Sequence, residues 1–335
     1  MTDPNMESAN AINRPVRALW YVEPFKAALR SETLPDPGSN EVLLKTRFSG
    51  ISRGTERLVF SGEVPETEFE RMRAPMQSGE FPFPVKYGYC TTAIAETGPK
   101  DLKGRAFFCL HPHQDFFLAP AESLVPIPSE VPLKRATLAA NMETALNAHW
   151  DAATSPCDRI AIVGAGIVGL LVAYIAARIP GTDVIVIDPN PARRSIVESF
   201  GARFATPGEP PDDRDVVFHA SASSAGLATA LSCAGFEGRV VELSWYGNKP
   251  VSAPLGGAFH ARRIKLISSQ VGQVAGTHRA RWDYRKRMMA AMSLLDRDTL
   301  DQLVDEEIDF SDAPERLPAI LDAQSTGLAP VIRYP

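Results

Sequence analysis

Three glycines near the middle of the chain have the spacing G-x-G-x-x-G, a pattern that can hold the phosphates of a dinucleotide. They are Gly164, Gly166 and Gly169. The first glycine permits a tight turn, the second lets the backbone approach a pyrophosphate, and the third lets a helix pack closely on a strand. Alone the spacing is a weak signal, and a glycine-rich packing turn that binds no nucleotide is the competing interpretation.

The residues around this turn meet each physical requirement of a nucleotide site. The apolar run Arg159–Val163 predicts a strand before the first glycine. A helix that begins near Ile167 and Val168 would direct its first N–H groups and its positive dipole end at the phosphates. The next predicted strand ends in Asp188, where a carboxylate can accept hydrogen bonds from both hydroxyls of a ribose. These features favour a bound dinucleotide.

The choice between NAD and NADP depends on Asp188 and on two arginines that follow it. A carboxylate at this position would repel a 2′-phosphate, which favours NAD. Arg193 and Arg194 come shortly afterwards; either could meet a phosphate, and Arg193 could instead lie over the adenine. The sequence therefore predicts NAD, with NADP as the less favoured cofactor.

The elements that must position this turn alternate between strand and helix. The strand-like segments RIAIV, DVIVI, DVVFHA, RVVELS and IKLISSQ alternate with helix-like IVGLLVAYIAARI, PARRSIVESF and SSAGLATALSCA. This alternation predicts a doubly wound, parallel α/β sheet. The uncharged run 160–177 is long enough to suggest a membrane span, but its glycines favour a buried strand and helix. Ligands lie beyond the carboxyl ends of such strands, so the residues at the ends of DVVFHA and RVVELS should flank a nicotinamide ribose: Ala220, Ser221, Leu243 and Ser244.

The rest of the chain predicts a second, β-rich domain to which both ends of the chain contribute. Its strand-like segments are Arg17–Val22, Glu41–Ser49, Tyr89–Glu96 and Ala106–Leu110. Helical patterns follow from residue 133 and around 283–295 and 313–322, and APVIRY predicts a last strand. We expect a catalytic domain over 1–141, a dinucleotide-binding domain over 142–273, and a return to the first domain over 274–335.

Composition excludes several classes of protein. The chain has 335 residues, which favours two domains, and its net charge of −5 argues against a nucleic-acid binder. The densest basic group predicts a solvated helix face: Arg279, Arg281, Arg285, Lys286 and Arg287. Four scattered cysteines are typical of reduced thiols, and the polar N-terminal segment lacks an apolar run, so a cytoplasmic protein is expected.

Three segments carry a resemblance to a known family. They are SGISRGTERLVFSG at 49–62, NMETALNAHWDA at 141–152, and GAGIVG. They are similar to the first catalytic loop, the helix entering the coenzyme domain and the cofactor turn of the medium-chain dehydrogenase/reductase superfamily, the alcohol dehydrogenase-like proteins. The resemblance implies a GroES-like domain, a Rossmann domain, and hydride transfer involving a small alcohol or carbonyl compound. By analogy with many members it also implies a homodimer. Within the superfamily, GISRGTE and CLHPHQD most resemble the branch containing bacteriochlorophyllide a dehydrogenase.

The sequence departs from the zinc alcohol dehydrogenases where their catalytic metal is bound. By the resemblance, Ser52 stands where they have a cysteine ligand, Gly88 where they have a histidine, and Ala140 where they have a cysteine or carboxylate. Their four-cysteine structural zinc lobe is missing. Because a hydroxyl, a glycine and an alanine cannot replace thiolates and imidazole around Zn²⁺, we expect no zinc. An alternative metal set of Cys109, His111, His113 and Glu56 has no spacing that fixes a geometry.

Without zinc, a side chain must move the proton of the substrate hydroxyl. His111 is the first candidate, because it ends a strand that lines the substrate pocket in the resembled family; a turn histidine without a catalytic task is the alternative. His113 is expected to be exposed. Ser52 and Thr55 could supply hydroxyl hydrogen bonds or relay a proton. Glu56 is either a general base or, as favoured here, an ion-pair partner of a neighbouring arginine, Arg53 or Arg57.

Two further residues receive a role from the resemblance. It implies that Arg53 contacts the coenzyme pyrophosphate and that Thr144 packs beside the nicotinamide. The sequence as a whole predicts a zinc-independent, NAD-dependent dehydrogenase or reductase. An NADPH-dependent reductase of quinones or enones and a non-catalytic nucleotide-binding relative remain the alternatives.

Overall fold

The first part of the chain is built of short strands, most of them antiparallel. The computed structural model describes residues 14–335, and the polar segment 1–13, which bears on the question of a secretory signal, lies outside them. The elements are β1 (Arg14–Glu23), β2 (Lys26–Leu34), β3 (Glu41–Gly50), α1 (Arg53–Ser61), β4 (Ser78–Gly79), β5 (Val85–Lys86), β6 (Thr91–Thr97), β7 (Ala106–Cys109), β8 (Phe116–Pro120), β9 (Val125–Pro126), α2 (Leu133–Ala136) and α3 (Ala139–Ala152).

The second part is the predicted doubly wound sheet. Its elements are β10 (Arg159–Val163), α4 (Ile167–Ala176), β11 (Asp183–Ile187), α5 (Arg194–Ser199), β12 (Arg203–Ala205), β13 (Arg214–His219), α6 (Ser224–Cys233), β14 (Ala234–Glu242) and β15 (Lys265–Ser268). The strands are parallel in the order β12-β11-β10-β13-β14-β15. The order reverses between β10 and β13, and at such a switch point the crevice beyond the carboxyl ends is where α/β proteins bind ligands.

The last segment of the chain packs with the first part of the chain. It contains α7 (Tyr284–Ser293), β16 (Glu307–Asp309), α8 (Ala313–Ile320) and β17 (Val331–Arg333). β17 pairs antiparallel with β3, and β16 adds in parallel to β17, which completes a sheet of order β16-β17-β3-β6-β7-β9. A smaller sheet, β2-β1-β5-β4, lies in the same domain. The boundaries after residues 141 and 273 stay predictions.

Most sequence expectations about the fold are confirmed. The apolar run 160–177 forms β10 and α4, and no helix within 14–335 is both long and apolar enough to cross a membrane. The four cysteines are free. The prediction for the basic group was wrong at Arg287, whose side chain is buried and donates to Glu143 at 3.0 Å and to Asn147 at 2.6 Å. Arg287 and Glu143 thus form a buried ion pair that joins α7 to α3.

Candidate active site

The three glycines of the G-x-G-x-x-G turn have three different surroundings. Gly164 has φ +109°, and a Cβ there would lie 2.9 Å from the carbonyl of Ala220. A Cβ on Gly169 would lie 1.9 Å from the Gly164 carbonyl oxygen, so the third glycine permits α4 to pack on the turn. Around Gly166 nothing lies within 4 Å of the corresponding position. The turn therefore has two glycines that are sterically required and one that faces open space, as a dinucleotide site needs.

The start of α4 and Asp188 complete this end of the crevice. Ile167 and Val168 are half-buried in the first turn of α4, where N–H groups lack intrahelical acceptors and can bind an anion. Asp188 accepts hydrogen bonds from the Ala165 N–H at 2.7 Å and from the Asn190 N–H at 2.8 Å. The carboxylate is therefore fixed next to the glycine turn.

Two arginines predicted to bind the cofactor contact the C-terminal loop at 320–327. Arg53 donates to the carbonyls of Ile320 at 2.9 Å and Ser325 at 2.7 Å. It also donates to the carbonyls of Asp322 and Gly327. Arg193, from the other domain, donates to the carbonyl of Thr326. The loop thus joins the α1 end of the β-rich domain to the Asp188 end of the Rossmann domain. Arg194 instead forms an exposed pair with Glu198.

The remaining predicted cofactor neighbours lie at the expected ends of elements. The Thr144 hydroxyl donates to its own helix, at the Ala140 carbonyl. At the switch point, the Ala220 N–H donates to the Val163 carbonyl, and the Leu243 N–H donates to the His219 carbonyl, each at 2.9 Å. The other two are serines, Ser221 and Ser244, and both are half-buried.

A cluster of hydroxyls lies where the catalytic loop meets the start of β6. Ser52 precedes α1, and Thr55 lies in its first turn. Both hydroxyls hydrogen-bond to the phenol of Tyr89. Tyr89 is half-buried and packs against both the core that includes α3 and α4 and the core of the smaller sheet. Burial raises the pKa of Tyr89, and Ser52 and Thr55 oppose this only in part, so the phenol keeps its proton at neutral pH.

Glu56 is the buried anion behind this cluster. It is 0% exposed, and its Oε2 accepts from the Tyr21 hydroxyl at 2.6 Å and from His113 Nε2 at 3.0 Å. Its Oε1 accepts from the Ser52 N–H at 2.7 Å. Burial alone would raise the pKa of Glu56, but His113, Tyr21 and Ser52 together lower it. The favoured prediction of a pair with Arg53 or Arg57 was therefore wrong, since the partner is His113.

The imidazole of His113 continues the network inward. The prediction that His113 is exposed was wrong, because it is 0% exposed. Its Nδ1 lies 2.7 Å from Ser49 Oγ, which lies 2.9 Å from the Tyr334 hydroxyl. If Nε2 donates to Glu56, then Nδ1 accepts from Ser49 and Ser49 accepts from Tyr334, so every polar atom in the row is paired. Glu56 anchors the loop that carries Ser52, and both its oxygens are already occupied.

His111, the first sequence candidate for acid/base chemistry, lies apart from this network. Its Nδ1 is 2.8 Å from the Pro112 carbonyl, and its ring stacks on Phe117 with centroids 3.9 Å apart. Burial lowers the pKa of His111 to about 3. A neutral, stacked imidazole is poorly suited to exchange protons near pH 7. Sequence reasoning missed Tyr21, Tyr89 and Tyr334, because the partners of these tyrosines lie far away along the chain.

The residues at the family's zinc positions do not fit a zinc ion. Ser52 offers a hydroxyl engaged with Tyr89, and Ala140 offers a methyl group. Gly88 has φ +119°, and a Cβ there would lie 2.9 Å from His113 Nε2, so the imidazole fills the space in front of it. Among the described residues no three or more His, Cys, Asp or Glu side chains are grouped so as to hold a metal.

Comparisons with known proteins agree on one fold. No family model matches the chain. It is 26% identical to L-galactonate-5-dehydrogenase of Escherichia coli over 200 residues, 52% of this chain and 56% of that protein. It is 26% identical over 263 residues to an uncharacterized zinc-type alcohol dehydrogenase-like protein of Haemophilus influenzae, 69% of this chain and 76% of that one. The chain thus spans little more than half the length of the first of these relatives.

Solved structures match over nearly the whole chain. A protein described as a zinc-binding dehydrogenase of Sinorhizobium meliloti, bound to NADP, gives a TM-score of 0.77 at 17% identity and covers 96% of this chain and 99% of its own. L-idonate 5-dehydrogenase of Escherichia coli gives 0.77 at 15% identity, covering 97% and 100%. The chain therefore has the fold of the medium-chain, alcohol dehydrogenase-like superfamily and a sequence similar to its members.

Proposed function

We propose that the protein is a zinc-independent oxidoreductase that transfers a hydride between NAD(H) and an alcohol or carbonyl compound. The observation that carries the proposal is the glycine turn, in which Gly166 faces open space beside the first turn of α4 and the fixed carboxylate of Asp188. A bound nicotinamide would supply the hydride chemistry. The named relatives act on alcohols, which supports the reaction class.

In this proposal Tyr89 holds the proton of the substrate oxygen. Its phenol is neutral, is half-buried between the two cores, and has Ser52 and Thr55 as hydrogen-bond partners. A neutral phenol can donate to a developing alkoxide, and the two hydroxyls can pass a proton onward. Tyr89 thereby replaces His111 as the proposed acid/base residue. Glu56 keeps Ser52 in place and leaves the proton transfer to the hydroxyls.

Zinc independence is part of the proposal and stands against the names of several relatives. It is supported by Ser52, Gly88 and Ala140, none of which supplies a thiolate, imidazole or carboxylate. NAD is preferred over NADP because of Asp188, although two structural neighbours are described as bound to NADP or NADPH. A cytoplasmic location and a homodimer are proposed by analogy with the superfamily.

The test combines cofactor binding, turnover and metal content. We expect purified protein to bind NAD more tightly than NADP, to change NADH absorbance with a member of a panel of sugar acids, polyols and their ketones, and to retain activity after chelation. Tyr89→Phe should lower kcat about 100-fold or more, with an unchanged Kd for NADH. Tyr87→Phe is the matched control, because Tyr87 is 2% exposed and lies behind Tyr89 with ring centroids 6.0 Å apart.

Three results would contradict the proposal. Stoichiometric zinc whose removal abolishes turnover would overturn the metal assignment, and tighter binding of NADP would overturn the cofactor assignment. Turnover of quinones or enones alone would favour the reductase alternative. If no compound is turned over although NADH binds, the non-catalytic alternative is the correct one.

A further inference from the structure

A second carboxylate–imidazole pair lies outside the hydroxyl cluster, at the carboxyl end of the Rossmann sheet. His219 ends β13 and Glu242 ends the neighbouring strand β14, where the two are register partners. Glu242 Oε2 lies 2.7 Å from His219 Nδ1. The other ring nitrogen, His219 Nε2, lies 2.7 Å from Ser221 Oγ. A carboxylate, an imidazole and a serine hydroxyl thus form one hydrogen-bonded row.

The contacts of Glu242 determine which ring nitrogen carries the proton. Its Oε1 accepts from the Ser244 N–H at 2.8 Å, and its Oε2 accepts from the Tyr246 hydroxyl at 3.0 Å as well as from the imidazole. Burial alone would raise the pKa of Glu242, but its contacts with His219 and Ser244 lower it, so the group is a carboxylate at neutral pH. Because a carboxylate only accepts, Nδ1 donates, and the lone pair of Nε2 faces Ser221.

The serine of this row is less buried than the base behind it. The His219 side chain is 0% exposed and that of Glu242 17%, while Ser221 is half-buried in the crevice. The first turn of α6 lies directly over the hydroxyl. A Cβ on Gly226 would fall 1.9 Å from Ser221 Oγ and 2.8 Å from His219 Nε2, so glycine at this position leaves the room in which the two atoms meet.

The same turn of α6 provides hydrogen-bond donors for an anion. Ser223 caps the helix by accepting from the Gly226 N–H at 3.0 Å, and its hydroxyl lies 3.1 Å from Ser221 Oγ. The N–H groups of Ser224 and Ala225 come next and have no acceptor within the helix. Donors aimed at the place where charge develops are what stabilise the oxyanion of an acyl-transfer reaction.

We propose that Ser221 is an activated nucleophile that hydrolyses small carboxylic esters, with His219 as its general base and Glu242 as the residue that orients the imidazole. The connectivity, carboxylate to Nδ1 and Nε2 to serine, is the one by which unrelated hydrolase folds activate serine. No cofactor takes part in the reaction, so this proposal does not rest on the oxidoreductase function.

The chemical steps balance with water as the only co-reactant. Ser221 Oγ forms a bond to the acyl carbon while its proton moves to His219 Nε2. The ester C–O bond then breaks, and the leaving alkoxide takes the proton from Nε2. In the second half, water attacks the acyl carbon, gives a proton to Nε2, and the released Ser221 oxygen recovers it. The products are a carboxylic acid and an alcohol, with no change of oxidation state.

The test is covalent labelling of the folded, full-length protein with a serine-reactive fluorophosphonate, followed by mass spectrometry of peptides. We expect an adduct on Ser221 in the wild-type protein. Ser221→Ala should abolish this adduct, and His219→Gln should slow its formation about 100-fold or more. Ser232→Ala is the matched control, since Ser232 is an exposed serine near the other end of α6 whose hydroxyl donates to the Thr229 carbonyl at 2.8 Å, and it should keep the Ser221 adduct.

Turnover gives a second measurement. Hydrolysis of 4-nitrophenyl acetate should fall at least about tenfold in Ser221→Ala, with thermal unfolding used to confirm that the variant is folded. The proposal is overturned if the wild-type protein carries no adduct on Ser221, if His219→Gln reacts at the wild-type rate, or if folded Ser221→Ala hydrolyses the ester equally fast. The adduct on Ser221 is measured on the wild-type protein itself. The test therefore stays decisive even if a variant fails to fold.

Discussion

The β-rich and Rossmann domains each contain a carboxylate, an imidazole and a serine joined by hydrogen bonds, but the two rows differ in burial and direction. In the catalytic domain, Glu56, His113 and Ser49 are all 0% exposed, and the carboxylate contacts Nε2. In the Rossmann domain the carboxylate contacts Nδ1, and the row ends at a half-buried serine. We propose that the same three side chains hold a loop in place in one domain and present a nucleophile in the other, and that the burial of the serine ending each row separates the two roles.

The largest expected difference between the rows is in stability. Glu56→Gln leaves the Tyr21 hydroxyl and His113 facing a side chain without charge inside the core, and should cost about 3–5 kcal/mol of unfolding free energy. Glu242→Gln, at a site with solvent contact, should cost only about 1–2 kcal/mol. Urea denaturation of both variants measures the difference. Equal losses would show that the two rows are not distinguished by burial.

Substitutions of Gly88 and of Gly226, one glycine beside each row, should differ in their effect on labelling. Gly88 has a positive φ, and the added methyl group of Gly88→Ala would press against the buried His113. The variant should therefore lose about 1–3 kcal/mol of stability. Gly226→Ala places a methyl group against Ser221 Oγ and the buried His219 Nε2, so fluorophosphonate labelling should be lost as well as about 1–3 kcal/mol of stability. If Gly226→Ala were labelled at the wild-type rate, the proposed role of Ser221 in the row with His219 and Glu242 would be contradicted.

Acid should destabilise both hydrogen-bonded rows. The effect should be larger for the fully buried row of Glu56, His113 and Ser49 than for the row that ends at Ser221. The pKa values of Glu56 and Glu242 are lowered from 4.5 in the folded protein, so their stabilisation is present above that pH and is lost as the pH falls through the folded pKa. We expect the thermal midpoint to fall below pH 4.5, and Glu56→Gln to flatten that fall more than Glu242→Gln. A midpoint that rises on acidification would refute the assignment.

The fold was predictable because its signals are local. The apolar runs of β10 and β11, the glycine spacing and Asp188 follow each other within one βαβ unit, and the structure places them as expected. Strands with weaker patterns were missed. β2 has a mixed sequence, KAALRSETL, and β12 has only three residues, so neither shows a period that a single sequence can reveal.

The candidate site was less predictable because its contacts join distant parts of the chain. Tyr89 meets Ser52 and Thr55 only after the catalytic loop and the start of β6 come together. His113 was predicted to be exposed, whereas the fold buries it against Glu56. Neither the burial of a turn nor the partner of a charged residue is encoded by spacing along the chain.

The arrangement around Arg53 has a consequence for any anion that reaches the crevice. Four of the five N–H groups of this guanidinium already donate to carbonyls of the loop at 320–327. A phosphate can gain these donors only by releasing the carbonyls, so the contact is an exchange whose net free energy is far smaller than that of a newly formed ion pair. If Arg53 binds the cofactor pyrophosphate, as the resemblance predicts, then occupancy of that site and order of the loop at 320–327 are opposing quantities, linked through one side chain.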